Sequence, residues 1–279
     1  MVLNQHNRRL GFRIDGDSLP RGFCCYLTNT GLVRRKNEDS LLANDVFVFE
    51  TDMTRPECVP FRNDKNLYVV ADGLGGHSRG ELASRTVLEV FRQRADQILD
   101  QYSLRAVLKE AKSELDSLVR EDFALFGLGT TLAGISMSQH AVLFFSCGDC
   151  RVYRLTSGKV LERMTKDHSL VQQLVDQGAL TEEQMRFHPD KNIVTATVTG
   201  NPLGPEPEVY SIRGEVSPNE RYLICSDGVW ENFQNDEIGD ILCLDSIRDS
   251  AAEFFGQILQ RGARDNFTLI LVEIEGDRL

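Results

Sequence analysis

Apolar residues fall into two textures along the chain, and the change comes near Gly129. Before it lie two segments with helical spacing. Leu88, Phe91, Ala95 and Ile98 recur at intervals of 3, 4 and 3, and Leu104, Val107, Leu108, Ala111, Leu115 and Leu118 keep the same rhythm. Each set gathers its apolar side chains on one face and leaves a polar one opposite, which predicts two helices that each cover something. After Gly129 come short strand-like runs at 130–137, 141–147 and 152–155, with Ser157-Gly158 as a turn. Runs of the same character stand at 22–28, 67–72, 193–199, 222–226 and 267–274. Further helices are predicted at 169–177 with Gly178 as C-cap, from Thr181-Glu182-Glu183-Gln184, around 236–242 and over 251–259. Residues 1–20 read as a loose polar lead-in. Residues 44–66, with Pro56, Pro60 and mixed charge, read as a long loop or insertion. Strands cluster with strands and helices come in pairs, which predicts an α+β domain of antiparallel strands with segregated helix pairs.

Composition narrows the function. The 279 residues are 41% hydrophobic and 26% charged, enough for a substantial core in a globular protein. A formal net charge of −11 excludes the basic footprint of a nonspecific nucleic-acid binder. No run approaches the roughly 20 apolar residues of a membrane span. Arg8 and Arg9 are followed by no apolar core, so no secretory signal is read and a cytoplasmic location is expected. The seven cysteines are unevenly spaced, and reduced, partly buried thiols are expected. Cys147-Gly148-Asp149-Cys150 matches C-x-x-C, but strand-like flanks deny it the helix N-terminus a redox pair needs. A zinc site would need a second well-spaced pair. A structural role is the expectation.

The candidate chemistry is acidic. Asp72-Gly73 closes the run 67–71, Asp227-Gly228 closes 222–226, Asp265 precedes 267–274, and Asn37-Glu38-Asp39 follows the first strand. A carboxylate beside a buried strand is costly unless something positive compensates it. Several such sites suggest convergence on hard divalent cations such as Mg²⁺ or Mn²⁺, which take oxygen ligands. Glu38 and Asp39 are adjacent and point opposite ways on an extended chain, so only one is expected as a direct ligand. Gly73 lets a backbone carbonyl approach a metal. Arg34 could offer a bidentate fork to phosphate.

The motifs around these residues, taken in order, resemble one family. Gly31-Leu32-Val33-Arg34 with Asn37-Glu38-Asp39-Ser40, Asp72-Gly73-Leu74-Gly75-Gly76-His77 and Gly129-Thr130-Thr131 carry the first part of the likeness. Cys147 to Tyr153, Asp167-His168-Ser169, Ser226 to Glu231 and Arg264-Asp265-Asn266-Phe267-Thr268 carry the rest. Together they resemble the metal-dependent serine/threonine phosphatases of the protein phosphatase 2C (PP2C, PPM) family, bacterial branch, over about residues 22–275. The resemblance implies a four-layer α-β-β-α sandwich of two antiparallel sheets flanked by helix pairs, with two Mn²⁺ or Mg²⁺ ions at one edge. On that pattern Asp72 bridges the ions and Gly73 offers its carbonyl. Asp227 and Asp265 hold one ion, Glu38 helps hold the other largely through water, and Asp39 supports the centre. Arg34 matches the phosphate-binding arginine, Asp149 the acid of a third, weaker ion, and residues 169–199 a variable flap. The implied reaction is hydrolysis of phosphoserine and phosphothreonine on proteins by a metal-activated water, opposing a serine/threonine kinase, in a monomer without nucleic-acid or membrane partners.

Two departures stand out. Leu74 occupies a position where eukaryotic members carry a histidine, which leaves the general acid unassigned. Cys150 stands where the family usually has serine. Gly76-His77-Ser78-Arg79-Gly80 also matches a G-x-S-x-G nucleophile elbow, with His140, His168 or His188 as base. Its serine lies beyond the predicted strand end, and the segregated strands do not fit that fold. His77 and His168 are expected to make turn or supporting hydrogen bonds, not metal bonds. A catalytically dead relative used as a binding module would have lost a metal acid, and none is missing.

Overall fold

A computed structural model describes residues 20–74 and 79–276. The predicted lead-in and Ser78 of the rival motif lie outside the described residues, as do Gly75 to His77. The strands in chain order are β1 (Arg21–Asn29), β2 (Asp39–Ala43), β3 (Val46–Phe49), β4 (Glu57–Arg62), β5 (Lys65–Leu74), β6 (Gly129–Ser138) and β7 (Ala141–Cys147). They continue with β8 (Arg151–Leu155), β9 (Leu161–Arg163), β10 (Val198–Thr199), β11 (Tyr210–Glu215), β12 (Arg221–Cys225) and β13 (Phe267–Ile274). The helices are α1 (Gly80–Gln93), α2 (Gln101–Glu121), α3 (Leu170–Asp176), α4 (Glu182–Met185), α5 (Asp227–Trp230), α6 (Asn235–Leu242) and α7 (Ile247–Gln260).

Two antiparallel sheets form. One runs β4-β1-β13-β12-β8-β9 and the other β11-β7-β6-β5-β2-β3, with β10 pairing β6. Three apolar clusters bind four layers together. Ala83, Val87 and Phe91 of α1 with Leu104, Leu108 and Leu115 of α2 cover the β5–β6–β7 sheet. Ile238 and Leu242 of α6 with Ala251, Phe254 and Ile258 of α7 cover the other. Between the sheets pack Tyr26, Leu41, Tyr68, Val70, Phe144, Tyr222 and Ile270. The α-β-β-α sandwich follows from strands apolar on both faces and helices apolar on one.

Several elements differ from the sequence expectation. The helix read through Ile98 stops at Gln93, followed by a 3₁₀ turn at Ala95–Gln97. Ile98 still reaches the same cluster, so its periodic position reflected burial rather than helix. Asp100 then caps α2, accepting from the Tyr102 and Ser103 amides. The stretch read as a 44–66 loop holds two edge strands, β3 and β4. Pro60 is tolerated in β4 because, among the described residues, that strand lies at a sheet edge and pairs with β1 alone. The strand expected at 193–199 shrinks to Val198–Thr199 and a single bridge from Val194 to Ser169. The thiols are not all reduced: Cys25 and Cys58 stand opposite each other in the β1–β4 ladder and form a disulfide. That pairing depends on β4, which no sequence pattern announced. Cys147 and Cys150 are free and buried, so the C-x-x-C forms no bond. Among the described residues no helix is long and apolar enough to cross a membrane.

Candidate metal centre

The acids sit where the inter-sheet core turns polar. In β5, Tyr68 and Val70 face the other sheet, and the period of two brings Asp72 onto the same face. In β2, Ala43 and Leu41 set the same phase for Asp39. Thr28, Thr131, Ser226 and Thr268 inherit it from β1, β6, β12 and β13. At this end of the sandwich the apolar filling is therefore replaced by hydroxyls and carboxyls. The hydroxyls are used. Thr28 and Thr268 share a hydrogen bond of 2.7 Å, and Asn37 Nδ2 donates to Thr28 at 2.8 Å. Ser226 Oγ accepts from the Thr268 amide at 3.0 Å and donates to Asp39 Oδ2 at 2.8 Å.

Asp39 and Asp72 stand directly opposite each other in the β2–β5 register. Two ionised carboxyls in that position repel, and both are pushed up. Burial is the larger cause for each, with neighbouring carboxylates adding to it. Asp39 rises to about 7 and Asp227 to about 6, again mainly through burial. Asp149 is raised by burial and then by Asp227 and Asp167, and Glu38 by burial and then by Glu81. Asp72 therefore lies within β5, which runs on to Leu74, rather than at the strand mouth as read from sequence. The pair Glu38 and Asp39 divides as expected. Asp39 is 1% exposed beneath the cleft, while Glu38 is half-buried and lines it.

The loop between β1 and β2 is clamped from the far end of the chain. Asn266 Nδ2 donates to the carbonyls of Thr30 and Lys36 at 2.9 and 2.8 Å, and its Oδ1 accepts from the Glu38 amide at 2.9 Å. This brings Arg34 to Asp265, with Nη2 to Oδ2 at 2.6 Å. The ion pair raises the Arg34 pKa further. Gly73 closes the opposite wall. A Cβ there would come within 2.2 Å of the Gly80 carbonyl and 2.6 Å of the Glu38 carbonyl, so only glycine lets β5, β2 and the start of α1 meet.

Asp149 is buried against the segment that carries Asp227. Trp230 Nε1 donates to its carbonyl at 3.0 Å, and the Arg151 guanidinium lies 3.4 Å over the Trp230 ring. Arg151 in turn holds the buried Asp167 carboxylate at 2.6 Å. His168 Nδ1 accepts from the Gly148 amide at 3.1 Å, a turn contact. Residues 169–199 lie beside this corner and carry α3 and α4, capped by Ser169 and by a capping box at Thr181 and Gln184.

Glu38, Asp72, Gly73, Asp149, Asp227 and Asp265 line one cleft of about 590 Å³ together with Arg34. Asp39 lies below it. Sequence reading missed the residues that hold these in place. Ser226 and Asn266 lay inside the quoted motifs, but their side-chain bonds connect positions more than 180 residues apart. Trp230 also lay inside a quoted motif, whereas Ser84, whose hydroxyl donates to the Glu38 carbonyl at 2.6 Å, carried no separable signal.

Among the described residues no three His, Cys, Asp or Glu side chains are grouped so that they could hold a metal ion as they stand. The acids instead surround an open mouth, with Asp265 engaged by Arg34. The donor set still fits a hard divalent cation. Asp39 Oδ1 is buried without a hydrogen-bond partner, and such an oxygen is costly unless a positive charge is near. Every lining group that could bind is an oxygen donor, as Mn²⁺ and Mg²⁺ require.

Comparison with known proteins bears on this site. The family model for protein phosphatase 2C matches residues 57–271. The serine/threonine protein phosphatase PstP of Mycobacterium tuberculosis is 30% identical over 252 residues, covering 88% of this chain and 44% of that protein. The chain thus spans less than half the length of that relative. The serine/threonine phosphatase stp of Listeria monocytogenes is 30% identical over 260 residues, covering 89% of this chain and 94% of its own. The crystal structure of the catalytic domain of PstP in complex with 2 manganese ions superposes with a TM-score of 0.73 at 28% identity, covering 92% of this chain and 100% of that one. Sheets, cleft and matched sequence agree, and the chain belongs to the protein phosphatase 2C family.

Proposed function

We propose that this chain hydrolyses phosphoserine and phosphothreonine on proteins with the help of two Mn²⁺ or Mg²⁺ ions, and that it opposes a serine/threonine kinase in the cytoplasm. The observation that carries this reading is the Asp39–Asp72 pair, opposed across β2 and β5 with one buried oxygen unpartnered, beneath a cleft lined by Glu38, Asp227 and Asp265. Asp72, Asp227, Asp265 and the Gly73 carbonyl would hold the ions directly, Glu38 largely through water, and Asp149 a third, weaker one. Such ions supply Lewis acidity, which lowers the pKa of a bound water and neutralises charge on a phosphoryl group.

The chain's own residues do the positioning. Arg34 presents a planar fork at the cleft mouth, and phosphate oxygens would compete with Asp265 for it. The hydroxyl network under Asp39 holds that carboxyl in place before substrate arrives, with Ser226 Oγ donating to Asp39 Oδ2. Leu74 offers no proton, so protonation of the leaving serine or threonine falls to water. No nucleophilic side chain is required and no phosphoenzyme should form.

The test is Mn²⁺-dependent turnover of p-nitrophenyl phosphate. Asp227→Asn should lower kcat at least about a thousandfold, in line with loss of a central electrostatic group, and chelation should abolish turnover. Activity in EDTA that is lost in Ser78→Ala would support a serine hydrolase instead. Absence of turnover with any divalent metal would support a binding module.

A further inference from the structure

Above the acids, the cleft mouth carries the opposite charge. Arg34, Arg35 and Lys36 from the β1–β2 loop and Arg79 from the start of α1 all line it. In a chain of net charge −11 this is a local reversal of sign. Arg34 is engaged by Asp265. The other three are not balanced. Lys36 Nζ and Arg79 Nε approach the same Glu81 oxygen at 3.2 and 3.0 Å, so two cations share one carboxylate. That carboxylate is nearly buried, at 8% side-chain exposure, while Lys36 and Arg79 remain 65% and 60% exposed. Burial opposes ionisation of Glu81, yet its own amide and the two cations hold its pKa below the usual value. Arg35 is exposed and has no ion-pair partner among the described residues. Asn192 and Val194, which also line the cleft, are uncharged.

The acids of the floor do not account for these cations. Arg35, Lys36 and Arg79 face solvent and form no ion pair with Asp39, Asp72, Asp149 or Asp227. We infer that Arg35, Lys36 and Arg79 select phosphorylated segments that carry acidic side chains beside the phosphorylated residue. This rests on the phosphatase reading and names its substrate class. With the phosphate in the cleft, neighbouring Asp or Glu side chains fall on this rim. They meet two shared cations and one free one. A basic neighbour is repelled. Exposed pairs of this kind act mostly on encounter and on KM and are screened by salt.

The experiment compares three phosphothreonine peptides identical but for flanking residues, Glu, Ala or Lys, with p-nitrophenyl phosphate as a substrate without flanks. The expected ratio of kcat/KM for the Glu peptide over the Ala peptide is about fivefold at low salt, as two or three exposed ion pairs would give. The difference should lie in KM, shrink toward unity at about 0.5 M salt, and reverse in Arg35→Glu combined with Lys36→Glu. Within each variant the peptide ratio is its own control for folding. Turnover of p-nitrophenyl phosphate with equal kcat/KM for all three peptides would overturn this inference and leave the phosphatase reading intact. No turnover of any substrate would overturn both.

Discussion

Arg35 lines the cleft and Asp39, four residues on in the chain, lies beneath it, yet they obey different rules. Asp39 is 1% exposed, fixed by the β2–β5 register and by Ser226 from the other sheet. Arg35 is exposed and bonded to nothing described. The floor of the cleft is a continuation of the sandwich core, so each polar group there answers to several strands at once. The rim is loop surface, answerable only to charge. Rate should therefore depend on groups that cannot change alone, and substrate choice on groups that can.

Removing the clamp tests this contrast most severely. Asn266→Ala deletes three hydrogen bonds and leaves the Thr30 and Lys36 carbonyls and the Glu38 amide without partners. The expected loss is about 3 kcal/mol of stability by denaturant unfolding. With the loop displaced from the acids, kcat should fall about a hundredfold in assays at a temperature where the variant remains folded. A variant with normal kcat would place the clamp outside the site.

A second test uses the proton. Asp39 and Asp227 have folded-state values of about 7 and about 6, and Asp72 and Asp149 are raised as well, against about 3.9 in an unfolded chain. Between those limits the metal-free folded protein holds more protons than the unfolded one. Its stability is complete below the window and is lost as pH rises through 6 and 7. The melting temperature of the chelated protein should fall by at least about 3 °C from pH 5.5 to 8, the equivalent of about 1 kcal/mol in a chain of this size. Saturating Mn²⁺ should remove the fall, because the ion binds the ionised carboxyls. Asp39→Asn should make the fall smaller without metal, leaving the part due to Asp72, Asp149 and Asp227. A melting temperature that rises over the same range would contradict the uncompensated floor.

The rim supplies the smallest effect. Arg35→Ala should leave the free energy of denaturant unfolding within about 0.5 kcal/mol of the parent, as for an exposed side chain without an ion-pair partner among the described residues. A larger loss would mean that the rim is structural after all.

What the sequence disclosed follows the same division. Strands such as 67–72 and 267–274 were legible because burial on both faces leaves continuous apolar runs, and the order of motifs brought out the acids. β2 was missed although fully buried, because it is only five residues long and begins with the acid that drew attention as chemistry. β4 and β11 were hidden by mixed, half-exposed composition at sheet edges. The Cys25–Cys58 bond stayed hidden with β4. Asn266 and Ser226 could be quoted within motifs, but what they hold is set by contacts across most of the chain.

The place of β13 has a consequence for how the protein comes into being. β13 is the last strand described, yet it lies in the middle of its sheet, between β1 and β12. During synthesis β1 must wait, with one edge already covered by β4 and the other open, until residues 267–274 emerge. Asp265 and Asn266 arrive just ahead of that strand. A nascent chain that has already made Asp39, Asp72 and Asp227 therefore has neither a closed sandwich nor a held β1–β2 loop. Long-range pairing of this kind is slow and leaves a strand edge open to other chains. On the proposed function, activity should appear only once β13 has docked.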